Sequence, residues 1–293
     1  MGSGPKPRLA CEITADRVLA GRASDGGKSI QTCATSELAP GAVLPDLLEP
    51  NLRERERVLE AIRQSLGSLS GRSRDVIAVL PDTAIRVALL DFETLPSKRD
   101  EAEGVVRFRL KKSLPFDVDK ARVSYDAQST GSAVRVIAAV ALTSVIEDYE
   151  SIFQEAGYTP GVVLPSMLAA LGAADASRPT LVVKVDARTI SIAILDKGQL
   201  LLFRTLENSR GAAITGEQLS EEVYPSIVFF QDTYNLNIER LYVAGLSDSG
   251  ALPALRAQTG VSVDELVDST RLGETFGSVP KWRMAGVVGA LLS

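Results

Sequence analysis

One order of elements occurs twice along this chain, and that repetition restricts the fold more than any single residue does. Leu9 to Thr14 and Arg17 to Arg22 read as extended runs, and the turn Asp25-Gly26-Gly27 leads to a third from Ile30 to Thr35. Leu181 to Asp186, Thr189 to Asp196 and Leu200 to Thr205 repeat this meander, with turns at Ala187-Arg188 and Lys197-Gly198. Consecutive extended runs joined by turn residues are the signature of antiparallel hairpins. The small, polar stretch Gly172 to Pro179 marks the boundary between the two halves.

Each meander leads into helices and further strands. Val58, Leu59, Ile62 and Leu66 recur at helical spacing, with Arg53, Glu54, Arg55 and Glu56 on the solvated side. Asp75 to Leu80 and Ile85 to Phe92 read as strands, and a helix follows from Ser97 to Ser113, stopped by Pro115. A strand pair around Gly131 precedes an amphipathic helix marked by Val145, Ile146, Tyr149, Ile152 and Phe153 and closed by Gly157. Val162 and Val163 form a short strand, and Pro165-Ser166 opens a short helix. In the second half, Gly216 to Tyr234 reads as a helix in which Pro225 is expected to make a kink or to mark the true start. Leu241 to Ala244, Ala251 to Thr259 and Val261 to Val263 alternate strand, helix and strand, before an apolar helix from Trp282 to Leu292. A duplicated β-β-β-α unit of this kind is the plan of the actin-like ATPases, in which two related domains face each other across a nucleotide cleft.

Composition narrows the chemistry. The 293 residues are 45% hydrophobic and 24% charged, enough for two buried cores. There is no histidine, which removes Ser-His-Asp and Cys-His catalysis and His-ligated zinc. Cys11 and Cys33 fit no metal spacing and read as small apolar residues in a reducing compartment. A formal charge of -5 leaves no overall electrostatic attraction for nucleic acid, so only a local basic patch could supply one, and the average argues against it. Residues 1–7 read as a flexible leader, and no run approaches the roughly 18 apolar residues that a membrane span requires. The expectation is a cytoplasmic protein, without direct membrane insertion, that reaches a membrane through partners.

Four stretches carry a family resemblance. Asp75 to Pro81 with Ile85-Arg86 is the first, and Glu103 to Phe116 followed by Val123-Ser124-Tyr125-Asp126 is the second and most specific. Val136 to Val145 with Tyr149 to Gly157 is the third, and Pro280 to Ala290 the fourth. Together they resemble the PilM-type proteins of type IV pilus machines, cytoplasmic actin-like components of the inner-membrane platform. The resemblance implies a ribonuclease H-like/actin-like two-domain α/β fold with an inserted small α+β (SHS2-like) subdomain. The first domain is expected over residues 8–175 with the insertion at about 76–143, and the second over 176–293, its closing helix packing back on the first.

Two candidate sites follow from the resemblance. Actin-like proteins hold phosphates with glycine-bearing hairpin turns and orient hydrated magnesium with aspartate. Here the first turn is Glu12 to Asp16 with Thr14, the second Asp186-Ala187-Arg188-Thr189, and the adenosine turn Ala244-Gly245-Leu246-Ser247. All are in register and all have lost glycines, so the cleft reads as degenerate. ATP with magnesium stays open as a ligand, and efficient hydrolysis is not expected. The implied partners are a PilN-like bitopic membrane protein, whose cytoplasmic N-terminal peptide docks beside the insertion, and other platform or motor proteins. Val106, Leu110, Leu114 and Phe116 with Arg107 and Arg109 are the expected docking residues, near the helix of the insertion and the strands around Asp75 to Leu90. The expected role is a non-catalytic scaffold; the alternative is a nucleotide-binding actin-like ATPase of cell division or type II secretion.

Overall fold

The computed structural model describes residues 6–69, 71–131, 133–248, 250–273 and 279–293, so residues 1–5 of the expected leader lie outside the described residues. In chain order the first half contains β1 (Leu9–Ile13), β2 (Arg17–Ala23), β3 (Ile30–Glu37), α1 (Arg55–Gly67), β4 (Asp75–Leu80), β5 (Arg86–Phe92) and α2 (Arg99–Leu110). It continues with β6 (Ala121–Thr130), β7 (Ala133–Leu142), α3 (Thr143–Glu155), β8 (Thr159–Pro165) and α4 (Ser166–Leu171). The second half comprises β9 (Thr180–Val185), β10 (Thr189–Asp196), β11 (Gln199–Glu207), α5 (Gly216–Tyr234), β12 (Arg240–Ala244), α6 (Ala251–Thr259), β13 (Ser262–Glu265) and α7 (Ala285–Leu292).

The duplication is present in the topology. The first sheet runs β3-β2-β1-β4-β8 and the second β11-β10-β9-β12-β13. In both, the meander is antiparallel and the last two strands lie parallel to the first. Alternation along the central strands decides which side chains meet. Leu9, Cys11 and Ile13 face the core under α1 and α3, so Ala10 and Glu12 face the other lobe. Likewise Leu181, Val183 and Val185 face the core under α5 and α6, which turns Val182 and Lys184 toward the first lobe. A charged residue in each central strand is thereby aimed at the lobe interface.

The inserted subdomain is the sheet β5-β7-β6 with α2 on one face. Its boundary differs from the expected 76–143, because Val76 to Val79 pair with Leu9 to Glu12 and belong to the first sheet. The inserted sheet starts at Arg86 and ends at Leu142. It also leans on the second lobe, where Arg135 donates to the Tyr234 hydroxyl at 2.9 Å and Leu200 N donates to Gln128 Oε1 at 3.2 Å.

α7 packs back on the first lobe, and glycine makes that possible. A Cβ on Gly289 would lie 2.1 Å from Ala169 O in α4, and one on Gly172 2.5 Å from Gly289 O. Pro225 does not start α5, which continues through it. The helix begins at a capping box, with Thr215 accepting from Gln218 N and Gln218 from Thr215 N. Pro225 and Glu221 are both exposed, so water can satisfy the Glu221 carbonyl that the missing N–H leaves without a partner.

Candidate functional site

Strand alternation brings Glu12 and Lys184 together at the centre of the molecule. Glu12 is wholly buried, and its Oε1 lies 3.3 Å from Lys184 Nζ while also accepting a hydrogen bond from Ser166 Oγ. The same ammonium is paired with Asp186 Oδ2. Asp82, from the turn after β4, accepts from Met167 N at 2.8 Å and from Ser191 Oγ of the second lobe at 2.6 Å. Arg17, buried at the start of β2, holds Asp16 at 2.9 Å and stands 3.7 Å from Asp186. Two cations and four carboxylates thus interleave across the lobe boundary.

The electrostatics follow from burial and neighbours. Burial alone would lower the Lys184 pKa, but Asp186, Glu12 and Asp82 outweigh it and hold the amine charged, above the ordinary lysine value. Burial raises Asp82 to about 6, against the pull of Lys184 and its two hydrogen bonds. For Arg17, burial is likewise outweighed by Asp16 and Asp186, and the guanidinium stays charged.

This arrangement does not fit a magnesium nucleotide. A hydrated cation oriented by Asp186 and Glu12 would need the place that the Lys184 ammonium fills. One amide in each turn is also engaged: Thr14 N with Arg17 O, Asp186 N with Thr189 O, and Gly245 N with Trp282 O, each at 2.8 to 2.9 Å. Gly245 is needed for packing, since its φ is +86° and a Cβ would sit 1.7 Å from Val185 O. A cavity of about 230 Å³ remains between Asp16, Arg17, Asp186, Ala187, Gly245 and Trp282.

Of the nucleotide residues expected from the sequence, the structure gathers Glu12, Thr14, Asp186, Ala187 and Gly245 around the cleft. The rest serve other ends. Arg188 is exposed, Leu246 and Thr189 are buried, and Ala244 joins the core between the lobes. The cations that matter, Arg17 and Lys184, were not among the expected residues. A lone lysine in the apolar run Leu181 to Val185, two positions before an aspartate, was the available signal.

The expected docking residues need correction. Val106 and Leu110 are fully buried against Val136, Ala138 and Val140 of β7, with Leu114 and Phe116 half-buried beside them, so they form the subdomain's own core. Arg107 is structural as well: it pairs with Glu103 at 2.9 Å and donates to Val118 O at 3.0 Å. Arg109 remains exposed. The junction of insertion and first lobe does carry a groove, of about 320 Å³, on the opposite face of the inserted sheet. Its floor is Ile85, Ala139, Ala141, Ile146 and Val163, and Arg122 pairs with Glu150 at 2.7 Å beside it. Strands β6 and β8, which supply its walls, each pair on one side only.

No family model matches the chain, and no curated protein does. Among solved structures it is similar to a chain of the PilM-PilN type IV pilus biogenesis complex, with 19% identity, 98% of each chain covered and a TM-score of 0.82. It is also similar to the cytoplasmic domain of EpsL, an inner membrane component of the type II secretion system of Vibrio cholerae. There the identity is 12%, with 97% of this chain and 94% of that chain covered and a TM-score of 0.56. A protein with actin-like ATPase fold from Bacteroides thetaiotaomicron matches at 13% identity, covering 87% of this chain and 89% of that chain, with a TM-score of 0.52. These likenesses establish the actin-like two-domain fold.

Proposed function

We propose that this chain is a non-catalytic actin-like scaffold of a type IV pilus inner-membrane platform. In this reading it holds the cytoplasmic N-terminal peptide of a PilN-like bitopic membrane protein, and is peripheral to the membrane through that partner. The observation that carries the non-catalytic part is the Lys184 ammonium, held between Glu12 and Asp186 where an actin-like enzyme needs a metal-bound phosphate. Likeness over 98% of both chains to a protein solved with PilN supports the choice of partner.

The peptide's place is the groove between β6 and β8. An extended segment adds to a free strand edge through main-chain hydrogen bonds while its alternate side chains enter the apolar floor. Gly161 at that groove offers a direct test, because a Cβ there meets nothing within 4 Å and a larger side chain at this lining position is expected to obstruct the groove. A fluorescent peptide from the cognate partner's N-terminus is expected to bind the wild-type chain and to lose at least about tenfold in affinity with Gly161→Trp. No binding to the wild-type chain, or equal binding to both, would overturn the reading.

A second reading, a nucleotide-binding ATPase of cell division or type II secretion, has in its favour the residual cavity beside Asp186 and Gly245. Nucleotide calorimetry separates the two.

A further inference from the structure

The outward side of α2 exposes an aromatic ring among cations that have no carboxylate partner. Ala102, Val106 and Leu110 are its buried residues, while Phe108 is 69% exposed and Val105 38%. Arg109, Lys111 and Lys112 are exposed around them, with Lys112 Nζ 5.9 Å from the Phe108 ring centre. The acids of this helix that pair are spent near its start, Glu101 on Lys98 and Glu103 on Arg107. Among the described residues, no ion pair reaches Arg109, Lys111 or Lys112. From residue 104 to 116 there is no acidic side chain, in a chain whose formal charge is -5; Asp117 and Asp119, with Lys120, follow beyond.

Position separates this patch from the groove. Successive residues of β7 point to opposite faces, and α2 covers the face of Val136, Ala138 and Val140 while Ala139 and Ala141 floor the groove on the other. The patch is therefore on the outer side of the subdomain. An extended peptide adds to a free strand edge or fills a groove, whereas Phe108 and Val105 project from the exposed side of a helix. A protruding aromatic flanked by lysine and arginine suits a flat, negatively charged interface, where the ring enters the headgroup layer and the cations pair with phosphates.

We propose that the outward face of α2 is a contact site for an anionic lipid surface, with Phe108 and Val105 as the apolar wedge and Arg109, Lys111 and Lys112 as the phosphate partners. This goes beyond the scaffold reading and does not rest on it. The test is co-sedimentation of the full chain with vesicles of phosphatidylcholine alone and with added phosphatidylglycerol. Binding is expected only with phosphatidylglycerol, to weaken as salt rises, and to fall at least about tenfold both in Lys111→Glu/Lys112→Glu and in Phe108→Asp. Both variants alter exposed positions, so unchanged circular dichroism and melting accompany the expected result. Absence of vesicle binding, equal binding to neutral vesicles, or anionic binding untouched by either variant overturns the proposal. Capture by an acidic polypeptide without vesicle binding overturns it equally.

Discussion

Lys184 Nζ lies 3.3 Å from Glu12 Oε1, joining the central strand of one lobe to the central strand of the other. Both side chains are almost wholly buried, so neither charge has water as an alternative partner. A buried pair of this kind adds little net stability over an apolar isostere, yet is costly to break from one side.

That asymmetry makes Lys184→Met the most informative substitution in the cleft. It leaves Glu12 and Asp186 without their cation and should cost about 3–5 kcal/mol at neutral pH. Urea unfolding of the wild type and the variant at neutral pH measures the loss. Adding Glu12→Gln to Lys184→Met should recover part of the stability; no recovery would mean that the pair is not coupled.

Asp82 should give the protein a pH dependence of defined sign. Its pKa is about 6 in the folded chain against a reference of 3.8, so the folded state binds the extra proton between those values. Stability therefore falls as pH rises through this window and levels off above it. Relative to Asp82→Asn, the wild type should lose on the order of 2 kcal/mol between about pH 4 and about pH 6.5. Parallel pH profiles for the two proteins would refute this.

Gly245 distinguishes packing from nucleotide recognition. Its φ is +86°, and a Cβ at this position would stand 1.7 Å from Val185 O. Gly245→Ala should therefore destabilise the chain by more than about 2 kcal/mol without any nucleotide present. Thermal unfolding of the nucleotide-free protein is sufficient to measure it.

Gly286 tests how tightly the cleft is braced by α7. A Cβ at Gly286 would approach Glu12 Oε1 to 2.6 Å, and that carboxylate is already held by Lys184 and Ser166. Gly286→Ala should cost about 1–3 kcal/mol. In combination with Glu12→Ala the penalty should largely disappear; an undiminished penalty would place its origin elsewhere on α7.

Much of the fold was legible because its signals are local. The two meanders, α5 with its start at Gly216, and the apolar closing helix all declare themselves by turn residues and periodicity. The insertion boundary did not, because β4 and β5 are neighbouring extended runs in sequence while β4 pairs with β1 and β8, in a different sheet from β5. Two of the expected docking residues face inward for a related reason: helical spacing identifies an apolar face but not what covers it, and Val106 and Leu110 are covered by β7. Lys184 was hidden within a buried strand whose carboxylate partner Glu12 comes from the other lobe. Distant pairing, not weak propensity, limited the reading.

The central claim is that the cleft between the lobes is closed by the protein's own charges rather than by a nucleotide. Isothermal titration of the full chain with ATP and magnesium tests it most directly. The expected result is no saturable heat up to about millimolar ATP, which bounds any binding energy to roughly 4 kcal/mol. Magnesium-dependent binding in the micromolar range, with turnover, would contradict it.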